Sequence, residues 1–253
     1  MAYESMSDIK EKLKWADKHI SDFKTAVAQY WSTKPYGVRV DDETDPAKPL
    51  IHIIKADPVP PEIRLIAGDV IQHLRSTLDY LACALVRANN QPVGRTIEFP
   101  ISDGPITSKN EDRFAAKVKG MRKEVIRQIK DVHAYQGGDN LLWRLHRLNI
   151  VDKHNMLVTA LGGITAANDL PPIGDQWNGN RWMGIPGVPL TLKAGDKFTI
   201  ESPTMKVDRN TQFFAEIVFD QPDIAEGYPV VLAFTQIRNR VSRVLGEFSC
   251  WLK

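Results

Sequence analysis

Cysteine is scarce in this chain, two in 253 residues, and Cys83 and Cys250 form no CxxC pair. This excludes a disulfide framework and a cysteine zinc site, and both read as buried free thiols in a reducing compartment. Net charge is small as well. A balance of +2 is too little for bulk electrostatics to argue for nucleic acid. No stretch reaches the roughly 18 apolar residues that a membrane span needs. The opening residues, Met1 to Asp8, lack the apolar core of a signal peptide. These absences predict a soluble cytoplasmic protein with no membrane partner. Neither GxGxxG nor a P-loop occurs, and no serine nucleophile elbow is present, so dehydrogenase, kinase and hydrolase chemistry are disfavoured and no cofactor is expected.

What the chain has is helical periodicity. Residues 5–31 carry Ile9, Leu13, Ile20, Phe23, Val27 and Tyr30 at helical spacing, with Ser5 or Ser7 as cap. Residues 62–89 carry the longest stripe, from Ile63 through Val70 and Leu78 to Leu85, with Pro61 in the first turn. Further helices are predicted over 111–132, 140–161 and 230–252. Short β-branched runs at 36–56 predict a hairpin, and Leu190–Leu192, Lys197–Glu201 and Gln212–Phe219 predict strands. Residues 162–189, rich in Gly, Pro, Asn and Trp, predict an ordered loop. The sum is one α+β domain over 1–253. Its helical-bundle core comes from 1–31, 60–161 and 230–253, and a small antiparallel sheet comes from 36–56 and 190–219.

The segment Arg144 to Asn155 departs from ordinary amphipathicity. Leu141, Leu145, Leu148, Met156 and Thr159 make one stripe, and Asp152 falls within it. Arg147, Val151, His154 and Val158 make another. A buried carboxylate has to be paired or protonated. Arg75, flanking the stripe of the long second helix one turn from Asp79, is the expected partner of Asp152. Asp69, His73, Ser76 and Tyr80 follow the opposite edge. His73, His146 and His154 with Asp69 and Asp79 lack HExxH or ExxH spacing, so no metal site is expected.

Three stretches, Gly68-Asp69 to Tyr80-Leu-Ala, Phe99-Pro100-Ile101 and Leu141 to His154, resemble a family of uncharacterised bacterial proteins. The pair Arg147 and His154, with six residues between them, more widely resembles the HEPN superfamily of helical bacterial proteins. That resemblance implies a metal-independent endoribonuclease of a toxin or phage-defence type, working as a homodimer. His154 would orient or deprotonate the RNA 2′-hydroxyl, and Arg147 would stabilise the phosphorane. Asp152, Asn149, His73, Arg75, Asp69 and Asp79 would support them. The strands would be an addition to the bundle.

The 111–132 segment is basic, and Lys119, Arg122, Lys123 and Arg127 are the expected contacts to RNA or a nucleotide. Arg238, Arg240 and Arg243 of the last helix extend the basic character. Trp177 and Trp182 would stack on bases or cap the core. The competing expectation is a non-enzymatic interaction module whose polar cluster only fixes helix register. An open cleft holding Arg147 and His154 beside the basic helix marks the enzyme. Burial of His154 against Asp69 or Asp79 marks the module.

Overall fold

The computed structural model describes residues 6–41, 50–157, 159–166, 177–178, 181–182, 191–199 and 213–252. In chain order its elements are α1 (Met6–Ser32), β1 (Tyr36–Asp41), β2 (Leu50–Ala56), α2 (Pro61–Arg87), α3 (Glu111–Lys117), α4 (Lys123–Asp131) and α5 (Asn140–His154). They continue with β3 (Thr159–Ala166), β4 (Trp177–Asn178), β5 (Arg181–Trp182), β6 (Lys197–Thr199), β7 (Phe213–Phe219) and α6 (Val230–Phe248), closed by a 3-10 turn at Ser249–Leu252. The class is α+β, as the periodicity predicts. No helix is long and apolar enough to cross a membrane among the described residues.

The chain packs as two compact units. The first comprises Met1–Ser21, Gly68–Asn155 and Phe234–Lys253 and is helical. Its core takes a stripe from each of five helices: Ile9 and Leu13 of α1, Leu74, Leu78 and Leu85 of α2, Val125 and Ile129 of α4, Leu145 and Leu148 of α5, and Val241 and Phe248 of α6. Each side chain so buried is worth about 1.5–3 kcal/mol, so tertiary packing stabilises these helices more than propensity does. Phe99 is fully buried and meets Phe248 edge-on, with ring centroids 6.3 Å apart. The Phe99-Pro100-Ile101 segment is therefore anchored in the core.

The second unit comprises Asp22–Ala67 and Met156–Ala233. A three-stranded antiparallel sheet has the order β1-β2-β6, and β3 pairs separately with β7. Alternation along β2 buries Ile51 and Ile53. The Tyr30 hydroxyl donates to the carbonyl of Asp57 at 2.7 Å, and burial together with the Asp57 carboxylate pushes it up to about 12.

Four expectations are corrected. The helix expected over 111–132 is two helices. Gly120 adopts φ +89°, a left-handed backbone that interrupts the helical ladder, and Asn89 Nδ2 donates to its carbonyl at 2.9 Å. The helix expected over 140–161 stops at His154, and Asn155 is extended. Beyond it, Thr159–Ala166 is drawn into a ladder with Phe213–Phe219, so β pairing overrides the apolar helical pattern. Of the strands expected to form one sheet from 36–56 and 190–219, β6 does join β1 and β2, whereas β7 pairs with β3. Cys83 is half-buried and Cys250 exposed, because the 3-10 turn ends the α6 stripe before Cys250. Leu190, Glu201 and Gln212, at the ends of expected strands, and most of the 162–189 loop lie outside the described residues.

Candidate functional site

Asp139 caps α5, its carboxylate accepting from the Leu142 amide at 3.1 Å. The helix so started carries Arg144 and Asn149 into the core, both about 4% exposed, and presents His146, Arg147 and Ile150 to a cleft. The opposite wall is the Pro100–Asn110 segment, which side chains hold in shape. Trp143 Nε1 donates to Asp103 at 3.0 Å, and Asn110 links the Thr107 amide to the Pro105 carbonyl. Residues of α3 and α4 complete a cleft of about 790 Å³.

At the base of this cleft lies a charge-balanced polar network. Arg75, 3% exposed, donates to Asp79 Oδ1 at 2.6 Å, to the Phe99 carbonyl at 2.9 Å and to His146 Nδ1 at 3.4 Å. Asp79 Oδ1 also accepts from the Phe99 amide at 3.0 Å. Lys117 is buried and pairs with Glu98 at 2.6 Å. Burial holds the Asp79 carboxyl above its usual range despite Arg75. Glu98 goes the other way: burial alone would raise it, but Lys117 and Arg75 outweigh that. Burial, then Arg75, then Lys117 bring His146 down to about 4, so its ring is neutral near pH 7.

Nδ1 accepts the Arg75 hydrogen bond, so the one proton of the neutral ring sits on Nε2. His146 therefore offers the cleft an uncharged N–H donor. Beside it Arg147, with its side chain 38% exposed, lies 3.8 Å from Asp103, whose carboxylate is 71% exposed. So exposed and long a pair contributes little, and an incoming anion can displace Asp103 from Arg147. Arg113 and Lys130 are exposed on the same cleft, and Lys130 sits over the Phe114 ring at 5.3 Å. Glu111 is the second acid on the rim.

The expected site residues are thus divided. Arg75 and Asp79 meet, and Arg147 lines the cleft, paired with Asp103. His154 is exposed at the end of α5 and does not line the cleft. Neither of the two expected placements for His154 is found. The expected Asp152–Arg75 contact is absent because Arg75 is committed to Asp79, Phe99 and His146. Asp152 is half-buried and faces Gly68, where a Cβ would overlap its carboxylate; burial and nearby Asp69 raise it. Asp69 itself is exposed. His73 stacks on His19 of α1, ring centroids 4.9 Å apart and nearly parallel, and burial, Lys12 and His19 lower it. Asp152 and His73 therefore do not orient Arg147.

Lys119, Arg122, Lys123 and Arg127 are exposed but none lines the cleft, and Arg122 donates to the Ala88 carbonyl at 2.9 Å. The same stretch of chain sends Arg113, Lys117 and Lys130 there instead. Among the described residues no three His, Cys, Asp or Glu side chains are grouped to hold a metal. Trp177 and Trp182 are cross-strand partners in the β4–β5 ribbon. Sequence reasoning overlooked His133 and Tyr135 on the rim, and considered His146 only as a metal ligand. The single signal for them was the Gly137-Gly138 break, which marks a turn but not what faces it.

Comparison with family models, with curated proteins and with solved structures finds no match for this chain.

Proposed function

We propose that the protein binds a phosphate-bearing ligand, RNA or a nucleotide, in the cleft between α5 and the Pro100–Asn110 segment, and that the polar cluster behind it is architectural. The observation that carries this reading is the composition of the cleft. Arg113, Lys130 and Arg147 line it without a buried partner, and Phe114, Tyr135 and His146 bring aromatic rings to its lining. Guanidinium groups, a neutral N–H donor and aromatic side chains suit phosphate oxygens and stacked bases. Lys117 is neutralised by Glu98 and sets the shape of the base rather than the charge.

RNA cleavage is the second reading, favoured by Arg147 standing on the cleft wall two turns from His154 on the same helix. It requires His154 to reach the strand where it leaves the cleft, and the HEPN-like homodimer belongs with it. One experiment tests both. A labelled single-stranded RNA is titrated in EDTA with wild type, Arg147→Ala and His154→Ala, followed by anisotropy and then on a denaturing gel. The binding reading expects intact RNA and about a tenfold loss of affinity in Arg147→Ala, the weight of one charge-assisted contact. Products that disappear with His154→Ala establish the second reading. Absence of binding by wild type overturns both.

A further inference from the structure

His133 and Tyr135 line two hollows at once. One is the cleft described above; the other is a more open hollow of about 690 Å³ that also takes in Gly138, Asp139, Arg240 and Arg243. The backbone between them is over-determined. His133 adopts φ +52°, a left-handed conformation uncommon outside glycine. Its carbonyl accepts from the amides of both Tyr135 and Asp139 at 2.7 Å. A Cβ at Gly138 would overlap that carbonyl, so only glycine leaves the turn its shape. The result sets the two rings edge to face, centroids 5.9 Å apart at 89°.

Charge flanks the rings on both sides. In the first cleft stand Arg147 and Lys130. In the second, Arg240 is tied to Asp139 and Glu247, which leaves Arg243, exposed and without an ion pair among the described residues, to meet a ligand. Cation, aromatic, cation is the order that a single strand presents in reverse as phosphate, base, phosphate. A mononucleotide leaves the second cation unused.

We infer that the ligand is a single strand of RNA that crosses the His133–Tyr135 rim, with a base on the rings, one phosphate at Arg147 and Lys130, and a following phosphate at Arg243. The inference rests on the cleft-binding reading and adds the length of the ligand to it. The test measures affinity for uridine monophosphate and for uridylate oligomers of two, four and eight residues, by competition against a labelled octamer. Wild type should gain about tenfold or more from monomer to tetramer, the equivalent of one added charge-assisted phosphate contact at Arg243. In Arg243→Glu, whose melting should match wild type because the side chain is exposed, the tetramer should fall to the affinity of the monomer. Equal affinity at all lengths in wild type, or a gain that survives in Arg243→Glu, overturns the strand while cleft binding stands. No binding at any length overturns the reading beneath it.

Discussion

Arg75 Nε donates to His146 Nδ1 at 3.4 Å, and through that one contact a buried cation of α2 decides the tautomer of a ring on the cleft wall of α5. The same guanidinium holds Asp79 and the Phe99 carbonyl, so α2, α5 and the Phe99-Pro100-Ile101 segment meet at one side chain. Around it Arg75 offsets Asp79 and Lys117 offsets Glu98, which leaves no charge for His146 to balance. A histidine in that position is neutral, and protonating it adds a third cation to a buried set.

This dictates a pH dependence. The ring is lowered to about 4, burial being the main cause, against an ordinary value of 6.5. Between those values the unfolded chain binds the proton and the folded one does not, so stability falls as pH drops through that window. Relative to wild type, His146→Phe should flatten the change in unfolding free energy between pH 7 and pH 5 by on the order of 1–2 kcal/mol. At pH 7 the same variant should lose about 1 kcal/mol, since Arg75 Nε loses its acceptor. Urea unfolding of both proteins at the two pH values checks each part, and parallel pH profiles would contradict it.

Removing the hub itself should be expensive. Arg75→Met leaves Asp79 charged in a half-buried site with its main partner gone. A loss of about 3–5 kcal/mol is expected by urea unfolding. Arg75→Met with Asp79→Leu should recover part of that, because two apolar groups leave no orphaned charge. A single variant as stable as wild type would show that the network contributes no stability.

Gly68 and Asp152 give a test on the other side of α2. Alanine in a helix interior ordinarily gains about 1 kcal/mol over glycine. Here the added Cβ would overlap the Asp152 carboxylate, so Gly68→Ala should destabilise instead. In an Asp152→Ala background the same substitution should turn stabilising. A sign that does not change between the two backgrounds, measured by thermal melting, would mean that Asp152 swings away freely.

The long stripes were legible because they repeat. Ile63 to Leu85 and Phe234 to Phe248 carry enough turns of one period to fix type and face. Breaks were less legible. Gly120 is one glycine in a basic run, and the close approach of Gln91 and Val86, which would crowd a Cβ there, is recorded in no local pattern. Thr159–Ala166 was read partly as helix because a strand is decided by its partner, and Phe213–Phe219 lies far along the chain. Polar partners were the least legible. The wheel places Asp152 within its stripe and Arg75 at the flank of the neighbouring one, but a partner one turn away, Asp79, satisfies the arginine first. Arg147 was found from its helix alone, whereas His146, His133 and Tyr135 become a site only when the Pro100–Asn110 segment closes against them.

The most direct test of the account is a map of amide shifts as an unlabelled uridylate octamer is titrated into isotope-labelled protein. Cleft binding predicts that the largest changes fall on His133, Tyr135, His146 and Arg147, and that the affinity fitted from them falls as salt rises, log K against log salt having a slope of about −0.7 per phosphate contacted. Changes centred on Lys119, Arg122, Lys123 and Arg127, with the cleft residues unmoved, would contradict the account and return the ligand to the outer basic face.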